Sequence, residues 1–345
     1  MKVNIGFISL GTGGTMGHMS LITRLADKLS KDAKLNVLSE YNYENFSNVN
    51  NSKINFIKIP KQEHMKTVGG CLNYKFKEEI VKIVQEKNLG VVIFSTFFDI
   101  GLLKSLRDKK IKTILVSYPL RDSHRAAIIS RKYYSLFDKV YLLNDILNVP
   151  ELYPNEKLVS PILDPLEDSK NIDSIKNILI TCGGGGRPSA ERFFEIINSI
   201  VPSMQNKYPE LKLTIIRGAY HGSILGGDIL DWSNNFKDLL KEADLVISEA
   251  GYFTLNDLLA LRKPAILIPG ERRIDNQELR AVNFERAGAG IAFFPTEDPS
   301  RLFEIIEEFI KNPSKLNLFP KNVEKLYIEV SKLDRIDNSI FKEIK

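Results

Sequence analysis

Cysteine is nearly absent from this chain of 345 residues: only Cys71 and Cys182 occur, in separate segments. Two thiols so far apart exclude a disulfide framework and any metal-ligand spacing, and fit a reducing compartment. Long apolar runs are missing too. Val3 to Leu10 falls short of the roughly 20 residues a membrane-spanning helix needs, and the glycines and charged segment that follow it exclude a signal peptide. There is one tryptophan, no low-complexity tract and no tandem short repeat. A strong charge of either sign is also lacking, since 48 Lys and Arg against 43 Asp and Glu leave a net +5. That balance permits contact with phosphates or lipid headgroups. No basic stripe or stacking aromatic platform stands out, so nucleic acid is not an expected partner. The expectation is a cytoplasmic protein with no membrane-spanning helix.

What the chain does have is alternation. VNIGFISL is followed by MSLITRLADKLSK, where Leu21, Leu25 and Leu29 share a helical face. Further short apolar runs, such as GVVIFST, KTILVSY and KVYLLN, alternate with helical patterns. Strands that are apolar throughout and separated by helices predict parallel sheets covered on both faces. A break with two prolines falls at VSPILDPLED, and the pattern restarts at KNILITCGGGG. The predicted fold class is α/β, with two doubly wound domains facing one another across a cleft. The N-terminal domain is drawn over residues 1–161 and the C-terminal domain over 162–324, and the segment around 325–345 is expected to pack back on the first.

Each half opens with a strand running into a glycine loop. Gly183, Gly184, Gly185 and Gly186 follow ILITC, with Arg187 next and a helix starting near Ser189. Glycine lets the backbone approach a ligand, and a helix N-terminus suits a phosphate. The alternative is a tight turn packed without any ligand. The first loop, GTGGTMGH, packs four glycines into the seven residues Gly11 to Gly17 and ends on His18, one of four histidines. An imidazole titrates near neutrality and can act as a base, and the nearby N–H dipoles would favour its neutral form. Capping or packing is the other role open to it.

Gly13 to His18, GGTMGH, resembles the GGTGGH loop of the MurG-like glycosyltransferases (glycosyltransferase family 28), with Met16 where the family has glycine. The stretches ADLVISEAGYFTLNDLLALRKPAILIP and DNQELRAVNFERAGAG are similar to the family's C-terminal pattern. The resemblance implies a GT-B fold, two Rossmann-like domains with the sugar nucleotide held mainly by the second. It assigns Gly183 to Gly186 and the turn Ala250, Gly251, Tyr252 to the diphosphate. Arg187, which could add a charge, with Phe253, Thr254 and Gly14, Thr15 and Gly17 of the first loop, completes the expected donor-binding set. Asp257 matches the family's acidic residue for the ribose hydroxyls, and Asn276 and Gln277 match the polar pair that meets the donor sugar. Trp232 to Phe236, including Ser233, falls where the family contacts the nucleobase; plain packing is the alternative for Trp232.

The implied activity is an inverting transfer of a sugar, with an N-acetylhexosamine as first guess, from a UDP-sugar to a hydroxyl of a lipid-linked or glycan acceptor. Helix N-termini can stabilise a leaving diphosphate, and no Asp-x-Asp pair occurs near the phosphates, so no metal or other cofactor is expected. His18 is the candidate base, with Glu249 a second carboxylate the family pattern does not predict. RDSHRAAIISRKYYSLFDK interleaves Arg121, Arg125, Arg131 and Lys132 with Ile128, Ile129, Tyr133, Tyr134, Leu136 and Phe137. Such a helix can lie on an anionic membrane surface, as can a second candidate, His64 to Phe76. Both point to peripheral attachment at the inner face of the cell membrane, against a plain core-facing stripe. The rival functions are a sugar-nucleotide hydrolase or epimerase on the same scaffold, and a non-catalytic partner of another transferase.

Overall fold

The computed structural model describes residues 3–9, 17–30, 33–40, 54–60, 71–72, 76–147, 153–184, 188–233 and 235–344. The chain divides into two compact units. One is Met1–Ile162 with Arg273–Asp275 and Leu333–Lys345; the other is Leu163–Arg272 with Asn276–Lys332.

The first unit is built on strands β1 (Val3–Ser9), β2 (Ala33–Ser39), β3 (Ile54–Lys58), β4 (Cys71–Leu72), β5 (Val91–Ser95), β6 (Phe98–Asp99), β7 (Lys112–Ser117), β8 (Lys139–Leu143) and β9 (Glu156–Val159). Seven of them form a parallel sheet in the order β3-β2-β1-β5-β7-β8-β9, and β4 pairs with β6 in a small ribbon. Every residue of β5 is buried, as a strand covered on both faces requires. The covering helices are α1 (Gly17–Leu29), α2 (Lys77–Glu86), α3 (Ile100–Asp108) and α4 (Asp122–Ser130). Helix α1 turns Leu21, Ile22, Leu25, Ala26 and Leu29 into the core. Helix α3 starts where the Asp99 carboxylate accepts the Leu102 N–H at 2.6 Å, satisfying a donor left open at a helix start.

The basic aromatic segment gives part of its apolar side chains to the core. It forms α4 and then a short 3₁₀ turn, Tyr133–Leu136. Ile128, Tyr134 and Phe137 are buried in the first unit's core, and Arg125 points inward with them. Its guanidinium meets the Glu156 carboxylate at 2.8 Å, with both side chains almost wholly buried. Ile129, Tyr133 and Leu136 stay half-buried and Arg131 and Lys132 exposed, so the core takes only part of the apolar stripe, and the inward arginine finds its carboxylate on β9. Of the second candidate, 64–76, only 71–72 and 76 lie among the described residues.

The second unit comprises β10 (Asn177–Thr181), α5 (Pro188–Lys207), β11 (Lys212–Ile216), β12 (Asp228–Leu230), α6 (Phe236–Glu242), β13 (Leu245–Ser248), α7 (Tyr252–Ala260), β14 (Ala265–Leu267), α8 (Gln277–Arg286), β15 (Ile291–Ala292), α9 (Pro299–Lys311) and α10 (Phe319–Val330). Its six strands run parallel in the order β12-β11-β10-β13-β14-β15. The core joins Ile178 and Ile180 of β10 to Phe193, Phe194 and Ile197 of α5 and Leu302, Ile306 and Phe309 of α9. Helix α9 has Asp298 as its cap, accepting the Ser300 N–H at 2.9 Å, with Pro299 in its first turn.

Helix α10 packs on α7 and stays with the second unit, so the terminal segment given to the first unit begins at Leu333 where the expectation drew it near 325. Helix α11 (Ile336–Ile344) closes that segment. The Tyr141 hydroxyl donates to Ser339 O at 3.0 Å, and Lys157 pairs with Asp334 at 2.5 Å.

In their own strand sequence the second sheet runs 3-2-1-4-5-6, the Rossmann order, and the first runs the same way with a seventh strand added at its end, 3-2-1-4-5-6-7. The chain leaves the first-formed strand toward one edge, then returns to its other side. The direction switches between β1 and β5 in the first unit and between β10 and β13 in the second.

Candidate functional site

In an open parallel sheet the loops on either side of a switch point splay apart, which leaves a crevice beyond the carboxyl ends of the strands. At the second unit's switch, β10 runs into Cys182, Gly183 and Gly184. Gly183 has φ +68°, a left-handed value glycine reaches without penalty, and its N–H donates to the Thr181 hydroxyl at 3.1 Å. Gly218, at φ +61°, presses from β11's end: a Cβ there would stand 2.8 Å from Gly183 O and from Gly184 C and O. The Ala219 N–H donates to Gly184 O at 3.0 Å. Gly185, Gly186 and Arg187 lie outside the described residues.

The other side of the crevice is the β13 end. Glu249 N–H donates to Thr181 O at 3.2 Å, which ties the two strand ends together. Ala250 is fully buried, and Gly251 caps α7 without a side-chain bond. Tyr252, Phe253 and Thr254 make the first turn of α7, and Asp257, 4% exposed, lies one turn further on. The helix therefore directs its positive end at the switch. Sequence reading overlooked Arg280, which is fully buried, donates to Ala250 O at 2.7 Å and lies 5.8 Å from the Tyr252 ring centroid. It fixes the turn from behind. Asn256, 2% exposed with no acceptor for its Nδ2, was also overlooked. An apolar periodicity search passes over both as ordinary helix residues.

Glu249, 4% exposed, is ion-paired with Arg272. Its carboxylate is committed to a counter-ion and does not stand as a lone base. It also helps burial push the Cys182 thiol up to about 12. Asn276 and Gln277 carry structural duties. The Asn276 side-chain oxygen caps α8 by accepting the Leu279 N–H at 3.3 Å, and that of Gln277 accepts the Gly270 N–H at 2.8 Å. What they can still offer a ligand is their amide N–H₂ groups. Ser233 lies beyond β12, the edge strand two places from β10, so the strand order does not bring it to the switch. Its hydroxyl accepts the Asn235 N–H at 3.1 Å.

At the first unit's switch, Gly14 and Thr15 lie outside the described residues, and Gly17 and His18 are the first two residues of α1. The His18 imidazole is 3% exposed. The Phe97 ring meets it edge-on at 4.5 Å between centroids, and the Tyr118 ring lies 6.2 Å away, nearly parallel. The Ser95 hydroxyl donates to His18 O at 3.3 Å. The ends of β5 and β7 thus hold the start of α1.

Between Ser95 and Phe97 sits Thr96, at φ +61°. The Phe97 N–H donates back to Ser95 O at 2.6 Å, which makes a γ-turn of the rare positive-φ kind. A β-branched residue held there stores about 1–3 kcal/mol of strain. Among the described residues no group of three or more His, Cys, Asp or Glu could hold a metal ion, and no helix is long and apolar enough to cross a membrane.

Comparison with known proteins gives this geometry a context. Residues 177–329 match the glycosyltransferase family 28 C-terminal domain. A UDP-N-acetylglucosamine–N-acetylmuramyl-(pentapeptide) pyrophosphoryl-undecaprenol N-acetylglucosamine transferase of Rickettsia bellii is 31% identical over 162 residues, covering 43% of this chain and 46% of the relative. In that match the chain spans about half the relative's length. The Rickettsia felis protein of the same name is 25% identical over 311 residues, covering 79% of this chain and 81% of the relative. In overall fold the chain is similar to the solved structure of Acinetobacter baumannii MurG, with a TM-score of 0.63 at 14% identity and 99% of each chain covered.

Proposed function

We propose that this chain, whose second unit carries a glycosyltransferase family 28 C-terminal domain and whose two Rossmann-like units follow the GT-B pattern, transfers a sugar from a UDP-sugar to an alcohol. The observation that carries the reading is the second unit's switch point, where a glycine turn and the positive end of α7 flank one crevice. Backbone N–H groups and a helix dipole are the materials from which a diphosphate site is made. Asp257, one turn into α7, would accept two vicinal ribose hydroxyls. The Arg280 bond to Ala250 keeps the crevice wall in place.

In the reaction proposed, the acceptor oxygen forms a bond to the anomeric carbon as the bond from that carbon to the diphosphate breaks. UDP leaves with the electron pair, and the acceptor's proton passes to the His18 imidazole. A direct displacement inverts the anomeric centre. The chain's own dipoles would carry the leaving-group charge, so the reaction as proposed uses no metal or other cofactor. The Rickettsia relatives are named for N-acetylglucosamine transfer to a pyrophosphoryl-undecaprenol acceptor. By likeness we propose an N-acetylhexosamine donor and a lipid-linked or glycan acceptor. We also propose that the chain works in the cytoplasm, peripherally at the inner membrane face.

Calorimetry with UDP and UDP-N-acetylglucosamine tests the reading. UDP should bind, and Asp257→Ala should weaken it by about tenfold or more, the loss of hydrogen bonds to a charged acceptor, with no change in melting temperature large enough to account for it. No UDP binding by the parent chain would sink the proposal. Rapid UDP release from the sugar nucleotide with no acceptor present would replace it with a hydrolase.

A further inference from the structure

Five described residues other than glycine take a left-handed backbone: Asn88, Thr96, Lys110, Lys132 and Arg262. Four of them stand two positions beyond the last residue of α2, α3, α4 and α7, where helices commonly unwind through one such residue. Thr96 alone follows a strand, and it alone is β-branched. It sits at the carboxyl end of β5, on the switch point that also holds His18. It is 1% exposed, and its hydroxyl has no hydrogen-bond partner.

Left alone, the chain would not choose this conformation, so its surroundings impose it. The Thr96 N–H is held by Val116 O at 2.9 Å, which continues the β5–β7 ladder one residue past its end. The tight Ser95 to Phe97 bond then reverses the chain at once. The result is that Phe97, the next residue, lies 4% exposed with its ring 4.5 Å from the His18 imidazole. Ser95, the residue before, donates to the His18 carbonyl. The two neighbours of the strained residue thus touch the ring and the backbone of the same histidine.

We propose that the Thr96 γ-turn is a positioning element for the His18 imidazole: its stiff left-handed backbone keeps the Phe97 ring seated against the histidine and removes the ring's freedom to swing. The two backbone hydrogen bonds hold the turn against the side chain's own preference, and the branched side chain, 1% exposed and restricted at χ1, fills its buried space with few ways to rearrange. The hydroxyl is not the working part; branching is. The inference rests on the reading of His18 as the base, and its test includes a readout that does not depend on that reading.

Three variants decide it. Thr96→Gly accepts the same φ but loosens the turn. Thr96→Val keeps the branching and volume and removes the unpaired hydroxyl. Phe97→Leu leaves the turn and removes the ring. With UDP-N-acetylglucosamine and a lipid-linked acceptor, Thr96→Gly and Phe97→Leu should each lower kcat about tenfold, as misplacement of a reacting group does, while the donor KM stays within about twofold. The double variant should be no worse than the worse single one, since both act through one contact. Thr96→Val should keep the parent's kcat and melt no lower. The His18 ring-proton NMR signal, assigned by its loss in His18→Gln, should move in the first two variants and stay put in Thr96→Val.

Parent-like kcat and an unmoved signal in Thr96→Gly would overturn the proposal, as would additive losses in the double variant. A loss in Thr96→Val equal to that in Thr96→Gly would overturn it too, by making the hydroxyl the acting group. If the parent chain neither binds UDP nor transfers sugar, the reading of function falls, and the imidazole signal alone decides whether the turn positions the ring. Should Thr96→Gly fail to fold, Phe97→Leu and Thr96→Val still give opposite expectations.

Discussion

At the end of β10 the chain turns through Gly183 at φ +68°, with Gly218 at +61° pressed against it; at the end of β5 it turns through Thr96 at +61°. The two switch points share a strand order and a backbone sign, yet one is made of residues without side chains and the other of a β-branched residue under strain. The difference follows from what each place has to present. A crevice for a diphosphate needs main-chain N–H groups within reach and no Cβ in the way. A place that holds an imidazole needs side chains packed around it, and there strain can persist because the surroundings over-determine it. Around His18 those surroundings are the Phe97 and Tyr118 rings.

The comparison can be broken at its strongest point first. His18→Ala should cut kcat about 10²-fold or more and leave UDP affinity within about twofold; a near-parent rate would remove the base from the first unit's switch. On the other side, Gly218→Ala adds a Cβ 2.8 Å from backbone atoms of Gly183 and Gly184 at a positive φ. It should destabilise the second unit by about 1–3 kcal/mol and weaken UDP binding, seen in thermal melts and calorimetry. Full UDP affinity in that variant would mean the glycine turn does not shape the nucleotide site. The smallest effect concerns Cys182. Burial, helped by Glu249, pushes its thiol from 9.0 up to about 12, so iodoacetamide at pH 8.5 should leave it unmodified in the native chain and alkylate it after denaturation. The sign for stability follows: between about pH 9 and 12 the unfolded chain gives up a proton the folded chain keeps, so this group makes the fold less stable as pH rises through that window. Alkylation in the native state would show that solvent reaches Cys182, which is 2% exposed in the structure.

Much of the fold was legible because buried parallel strands carry short, mainly apolar runs, and β1, β5, β7, β10 and β13 all read that way. Two of the strands that went unread lack such a run. Asp228–Leu230 is an edge strand with two of its three residues exposed, and Glu156–Val159 hides a charged residue that pairs with Arg125. A sequence pattern scores Glu156 as surface, and only the partner on another element makes its burial tolerable. The same limit applies at the candidate site. Glycines before a helix announce a turn, and Asp257 was picked out only through the family resemblance. The amides of Asn276 and Gln277 read as sugar contacts, while in the structure their oxygens hold the α8 start and Gly270.

Amino-acid order alone determined the alternation of strand and helix, the glycine loops at the strand ends and the position of His18 at a helix start, because these depend on neighbours within a few residues. Tertiary structure alone decided which strand ends meet at each switch point, that Arg125 turns inward to Glu156, that Glu249 has a counter-ion in Arg272, and that Thr96 holds a backbone no local preference would choose. Each of these needs a partner supplied by a distant segment, and the energy of a buried charge or a strained turn is set by that partner.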